Sequence, residues 1–174
     1  MSSMFSWVAV RGRAPEAVLD DLGLTDTGIA LSAGSSRLAG EALPDGWYVV
    51  VDYDVDPDGY VSDTQTLEQL SREAEVVACY KSSYGPDSAA AQWKSGRQVW
   101  IVTHSCDSGA VPDHIEFEGE LPEVFADILA DAHAEYADSG GTECLYEVAV
   151  DLAAEITGFR EDDIRDLTEL TWAD

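Results

Sequence analysis

Short runs of β-branched and aromatic residues, bounded by turn-forming residues, recur along this chain. The clearest runs are 5–10, 47–53, 76–80, 89–93, 97–103 and 115–118. They have the length of strands and are too short for amphipathic helices. Only Ser95 and Gly96 separate two of them, which predicts a tight hairpin. An antiparallel sheet is therefore the first structural expectation.

Helical spacing is confined to a few segments between these runs. The segments with helical periodicity and start or stop signals are 16–22, 64–73, 122–137 and 151–157. Residues 145–150 are strand-like, and the acidic tail 161–174 predicts a final helix or a frayed end. Strands outnumber helices without regular alternation. We therefore expect an α+β fold, one domain over residues 1–174, with a largely antiparallel sheet and helices packed on one face.

The hairpin register also predicts how two tryptophans pack. If Ser95 and Gly96 form the turn, Trp93 lies opposite Gln98 and Trp100 lies opposite Ala91. Both rings would then share one face of the sheet and contact each other diagonally. Packing in the core is the default role of such a pair, and a ligand platform is the alternative.

Composition narrows the class of protein. Hydrophobic residues make up 45% of the 174 residues, enough apolar surface to offset the entropy of folding. No apolar run reaches the length of a membrane span, and Met1 to Arg13 has no signal-like pattern, so no secretory signal is expected. Three cysteines are too few for a disulfide framework. We expect a cytoplasmic protein.

The charge is unusual, with 35 acidic residues against 9 basic ones and a formal net charge of −26. Direct binding to nucleic acid or to an anionic membrane is not expected, because both need clustered lysine and arginine. Three interpretations remain. The charge solvates the protein, presents an anionic surface to a basic protein partner, or binds cations.

Several segments resemble one known family. The segments that carry the likeness are 42–48, 74–79, 93–104, 113–122 and 146–160. They are similar to an uncharacterised bacterial protein family without an assigned function. The resemblance implies a bacterial, single-domain protein and transfers no site or chemistry.

The segment from Asp54 to Gln65 resembles the loop with which helix–loop–helix proteins bind calcium. The candidate ligands, in chain order, are Asp54, Asp56, Asp58, Tyr60 and Ser62. Gly59 falls where the sharp turn needs a residue without a side chain. Gln65 cannot supply the bidentate carboxylate that closes such a site, so calcium would bind weakly. The alternative is a solvated loop whose aspartates form turns and whose Ser62 caps the next helix.

Two histidines and a cysteine lie close together in sequence. His104, Cys106 and His114 are side-chain types that bind zinc or form a catalytic dyad. Their spacing matches no known metal signature, and polar residues at the end of a hairpin are the simpler interpretation.

Three functions follow from these features. The first is a non-enzymatic binding or accessory protein, of the inhibitor, immunity or nucleic-acid-mimic type, whose anionic surface meets a basic partner. The second is a calcium-stabilised module built on the Asp54–Gln65 loop. The third is an enzyme or metal site on His104, Cys106 and His114.

Overall fold

A computed structural model of the chain describes residues 4–31, 36–54, 59–83, 87–105, 114–139, 144–163 and 166–174. The strands in this part of the chain are β1 (Met4–Arg11), β2 (Leu24–Leu31), β3 (Leu38–Ala42), β4 (Trp47–Asp52), β5 (Glu75–Ser82), β6 (Asp87–Lys94), β7 (Arg97–His104), β8 (Ile115–Gly119) and β9 (Leu167–Trp172). The helices are α1 (Pro15–Leu22), α2 (Gly59–Ser62), α3 (Thr64–Ser71), α4 (Val124–Asp138) and α5 (Val148–Thr157), and Cys144–Glu147 form a 3₁₀ turn. None of the described helices has the length and apolar composition needed to cross a membrane.

The nine described strands form one sheet in the order β2-β9-β3-β4-β1-β5-β6-β7-β8. Every neighbouring pair is antiparallel. The central strand β1 is buried from Phe5 to Val10, and Trp7 lies opposite Val51 of β4 and Cys79 of β5. The predicted α+β class and antiparallel sheet are confirmed.

Helices cover both faces of the sheet, so the expectation of helices on one face was wrong. On the first face, Trp7 packs in a cluster with side chains of α4 and α5. On the second face, Val8 packs in a separate cluster with side chains of α1, α2 and α3. The physical reason is visible in β1, β4 and β5, whose apolar runs are interrupted only by the buried Ser6. A continuous run is typical of a strand buried on both sides.

The hairpin between β6 and β7 has the predicted turn but a different register. Ser95 and Gly96 both have positive φ, 52° and 70°. Trp93 lies opposite Gln98, as expected, but Trp100 lies opposite Gln92 because Val99 is an extra residue in β7. The bulge turns the two rings to opposite faces, so their predicted contact was wrong. Trp100 Nε1 instead donates a hydrogen bond to Gln92 Oε1 at 2.8 Å.

Two further segments differ from expectation. Residues 145–150 are not a strand, because they form the 3₁₀ turn and the first residues of α5, whose Val148, Ala149 and Val150 are buried. A short apolar run is compatible with a buried strand or a buried helix. The acidic tail neither frays nor forms a helix over 167–172, since β9 inserts between β2 and β3 with Leu167 and Leu170 buried.

Candidate functional site

A groove of about 550 Å³ runs between α4 and α5 on the first face of the sheet. Its residues come from α4, from the 3₁₀ turn, from α5 and from the segment after α5. They are Ile128, Asp131, Ala132, Glu135, Glu147, Asp151, Glu155 and Arg160. Five carboxylates therefore face one guanidinium across an apolar floor.

The carboxylates form two rows because of their helical spacing. Asp131 and Glu135 are four residues apart on α4, and Asp151 and Glu155 are four residues apart on α5. Side chains at this spacing lie on one helix face, one above the other. Like charges so placed destabilise a helix by about 0.2–0.5 kcal/mol per pair. Helix stability therefore does not explain why both rows are acidic.

A hydrogen-bonded tyrosine fixes the start of α5 against the sheet. The Tyr146 hydroxyl donates to the carbonyl of Ser82 at 2.7 Å, and the Ser88 hydroxyl donates to the carbonyl of Tyr146 at 2.7 Å. The ring of His104 packs edge-on against the Tyr146 ring, with centroids 6.1 Å apart. These contacts set the position of the next residue, Glu147, at one end of the groove.

Lys81 neutralises that end. Its Nζ lies 2.7 Å from Glu147 Oε1 and 3.5 Å from Glu161 Oε1, above the Tyr146 ring. Partial burial lowers the pKa of Lys81, but the hydrogen bond and charge of Glu147 together with the charge of Glu161 outweigh burial and raise it. Burial raises the pKa of Glu161. The directions agree with the distances, because Lys81 is closer to Glu147 and compensates Glu161 only in part.

Arg160 neutralises Asp151, which lies between Glu147 and Glu155 along the groove. Gly158 ends α5 in the left-handed conformation, with φ 74°, and the next residue, Phe159, packs edge-on against Trp7 with centroids 5.3 Å apart. This anchor carries Arg160 back over the helix, where its Nη2 lies 2.7 Å from Asp151 Oδ1. The hydrogen bond from Arg160 to Asp151 raises the pKa of the guanidinium further.

Three carboxylates of the groove lack such a partner. Glu147 and Asp151 have Lys81 and Arg160, whereas Asp131, Glu135 and Glu155 make no ion pair with any described residue. All three are exposed on the groove side of their helices. The groove therefore holds an uncompensated negative charge that a cationic group can neutralise.

The predicted calcium loop is described only in part. Asp56 and Asp58 lie outside the described residues. Asp54 Oδ2 lies 3.9 Å from Arg37 Nη1, and the Asp54 amide donates to Asp52 Oδ1 at 2.9 Å. Within the described ranges, no group of three or more His, Cys, Asp or Glu is arranged to hold a metal ion.

The remaining candidate ligands, Tyr60 and Ser62, lie in α2. The carbonyl of Tyr60 accepts the amide of Asp63 at 3.2 Å, and the Ser62 hydroxyl donates to the carbonyl of Gly59 at 3.1 Å. The predicted cap Ser62 was wrong, because Asp63 caps α3 by accepting the amide of Thr66. Calcium binding by the Asp54–Gln65 loop stays a prediction.

The two histidines of the third hypothesis contact different faces of the sheet. His104 is buried at the end of β7, opposite Ile115, on the first face of the sheet. His114 precedes β8, and its Nε2 lies 2.9 Å from an oxygen of Glu116, whose side chain belongs to the second face. Cys106 is outside the described residues. The structure does not bring His104 and His114 together.

Sequence reasoning missed the groove for a specific reason. The four-residue spacing of Asp131 and Glu135 was readable on a predicted helix. Glu147, however, fell in a segment interpreted as a strand, so it was not placed in one row with Asp151 and Glu155. The neutralising contacts of Lys81 and Arg160 depend on the tertiary fold and have no local signal.

No protein-family model, no curated protein and no solved structure matches this chain. The resemblance to an uncharacterised bacterial family stays a prediction. The geometry and charge of the groove are therefore the basis for the function proposed below.

Proposed function

We propose that this protein is a non-enzymatic binding protein whose groove between α4 and α5 receives basic side chains of a partner protein. One observation carries the proposal. Asp131, Glu135 and Glu155 line a formed groove without an ion-pair partner in the described part of the chain, while their neighbours Glu147 and Asp151 have one. An anionic surface of this kind suits an inhibitor, an immunity protein or a nucleic-acid mimic whose partner is basic.

The size of the groove limits how the partner enters. About 550 Å³ is the volume of a small-ligand pocket. A whole helix, roughly 10 Å across, does not fit such a volume, whereas a few long side chains do. Carboxylates four residues apart on a helix are spaced by about 6 Å along its axis. This distance suits lysine or arginine at alternate positions of an extended segment or one turn apart on a helix.

The apolar residues of the groove favour long basic side chains as its ligands. Ile128 and Ala132 line the groove on α4, beside Asp131 and Glu135. The methylene stems of lysine and arginine cover apolar surface while their charged ends reach carboxylates. A small inorganic cation would leave this floor exposed. The proposed contact is therefore with protein side chains.

The proposal is tested by titrating the protein into a fluorescein-labelled octalysine peptide and following the fluorescence anisotropy of the peptide. The test variant is Asp131→Asn/Glu135→Gln/Glu155→Gln. The matched control, Glu16→Gln/Asp20→Asn/Glu73→Gln, removes the same charge from exposed residues outside the groove. The groove variant should weaken binding about tenfold or more, because each lost charge pair contributes roughly 0.2–1 kcal/mol. The control should weaken it much less.

Two results would contradict the proposal. Equal weakening by both variants would show that the peptide responds to net charge alone, and the acidic residues would then serve solvation. Unchanged binding in the groove variant would place the cationic contact elsewhere on the surface. Circular dichroism of all three proteins at the titration temperature confirms that the comparison is between folded proteins.

A further inference from the structure

The strand β8 ends the sheet on one side. It lies last in the strand order, and only β7 pairs with it among the described residues. Its residues 116–119 are exposed, including Phe117, whose side chain is 50% exposed. Along the outer side of such a strand, every second residue points its N–H and C=O away from the sheet, where an added strand can pair with them.

The two ends of the sheet differ in how well they accept another strand. At the other end, β2 has a register shift between Asp26 and Ala30, and Gly28 within it has φ 71°. A bulge of this kind bends an edge away from a regular ladder and blocks pairing. β8 keeps an unbroken register with β7, from Ile115 opposite His104 to Gly119 opposite Trp100, and the positive φ of 94° at Gly119 falls on its last residue.

The two faces of β8 present different chemistry. On the first face, Phe117 packs edge-on against Phe125 of α4, with centroids 5.0 Å apart, and keeps half of its surface exposed. On the second face, Glu116 and Glu118 rim a hollow of about 620 Å³ whose floor includes Ile101 and Thr103. An added strand therefore meets an apolar side chain on one face and two carboxylates on the other.

This arrangement disfavours a second copy of the chain as the added strand. Two β8 strands pairing antiparallel would bring the Glu116 and Glu118 side chains of both copies onto one face. Like charges on paired strands destabilise the pairing. Lysine or arginine at the same positions would be attracted, and its methylene stem would cover Ile101.

We propose that β8 binds an extended segment of a partner protein as a tenth strand, and that this segment alternates basic and apolar residues. The basic residues lie beside Glu116 and Glu118, and an apolar residue lies beside Phe117. This surface is separate from the groove between α4 and α5, and the inference does not depend on the function proposed for the groove.

The probe is a fluorescein-labelled heptapeptide that alternates lysine and valine. The test variant is Glu116→Gln/Glu118→Gln, and the matched control is Glu16→Gln/Asp20→Asn on α1, with the same change in charge. Loss of the two cross-strand charge pairs should weaken binding about fivefold in the test variant. The α1 control should bind nearly as the wild type does. To separate β8 from the groove, both variants are also made in the background Asp131→Asn/Glu135→Gln/Glu155→Gln, where the fivefold difference between them should persist.

Backbone pairing is tested separately from charge. Peptides N-methylated at alternate residues, prepared in both phases, keep every charge, and one phase loses the N–H groups that face β8. That phase should bind at least about tenfold more weakly, since the ladder hydrogen bonds supply the affinity of strand addition. Bound peptide should also slow amide exchange within Ile115–Gly119.

Several outcomes overturn the proposal. Equal binding of both N-methylated peptides would exclude strand addition. Weakening by the groove variant in place of the β8 variant would assign the peptide to the groove. No binding of the heptapeptide up to millimolar concentration would mean that Glu116 and Glu118 only protect the edge. A dimer of the free protein that dissociates in a Phe117→Asp variant would show that a second copy occupies the edge.

Discussion

Glu75 and Glu161 illustrate how the surroundings of a carboxylate set its pKa in a very acidic protein. Glu75 lies 2.7 Å from Arg11 and 3.3 Å from Lys94, and it accepts a hydrogen bond from Gln92. Burial alone would raise its pKa, but the hydrogen bonds from Arg11 and Lys94 outweigh burial and lower the pKa. Glu161 shares Lys81 with Glu147, and burial raises its pKa.

The opposite pKa shifts predict opposite effects on stability. A lowered folded-state pKa means that ionised Glu75 stabilises the fold above its unfolded pKa, and that this contribution is lost as pH falls through the folded pKa. A raised pKa means that the contribution of Glu161 is present below its unfolded pKa and is lost as pH rises through the folded pKa. Glu75→Gln should therefore be less stable at pH 7 than Glu161→Gln, by about 1–2 kcal/mol.

Urea unfolding of both variants at pH 7 and near pH 4 is the measurement. Each variant removes one negative charge, so the effect of overall repulsion cancels in the comparison. The difference should shrink in acid. Equal stability at pH 7, or a difference that grows as pH falls, would contradict the assignment of these two carboxylates.

Single residues were predictable where the cause is local. Gly23 and Gly158 directly follow the predicted helical segments 16–22 and 151–157, and they end α1 and α5 with positive φ. The ion pairs of Glu75, Lys81 and Arg160 were not predictable. They join residues brought together by strand pairing and by the turn after α5, and no local pattern encodes such contacts.

At the scale of elements, the β6–β7 hairpin shows which features a local sequence pattern predicts and which it does not. The turn at Ser95-Gly96 was predicted because two strand-like runs flank two turn residues. The bulge at Val99 was not predicted. Residues 99–102 are one continuous apolar run that does not mark a bulge, and only the burial of Trp93 and Trp100 on two different faces selects it. The start of α5 was missed for a related reason, because a buried helix and a buried strand are equally apolar.

The same hairpin supplies an element-scale prediction. Ser95 is exposed and has φ 52°, a left-handed conformation. Residues with a Cβ atom are strained in this conformation. Asparagine tolerates this conformation and forms the favoured turn with a following glycine. Ser95→Asn should raise the free energy of unfolding by about 0.5–1 kcal/mol, and Ser95→Ala should lower it. Thermal melting of both variants gives the order, and a reversed order would contradict the turn geometry.

For the molecule as a whole, the net charge of −26 sets the response to salt. Mutual repulsion of exposed carboxylates opposes the compact state, and salt screens it over a Debye length of about 8 Å at physiological ionic strength. Raising sodium chloride from 0.05 to 0.5 M should therefore raise Tm by about 3 °C or more. Choline chloride should act alike if screening is the cause, and a Tm that falls with either salt would contradict it.

Screening of this kind acts on all carboxylates, whereas the proposed function gives those of the groove a separate role. The most direct test is an NMR titration of the isotope-labelled wild-type protein with unlabelled octalysine, read from the backbone amide shifts. Shift changes concentrated in α4, α5 and the 3₁₀ turn, and saturating together, are predicted. Changes spread over acidic segments such as α1, in proportion to their charge and without common saturation, would contradict the claim that the groove is the binding site.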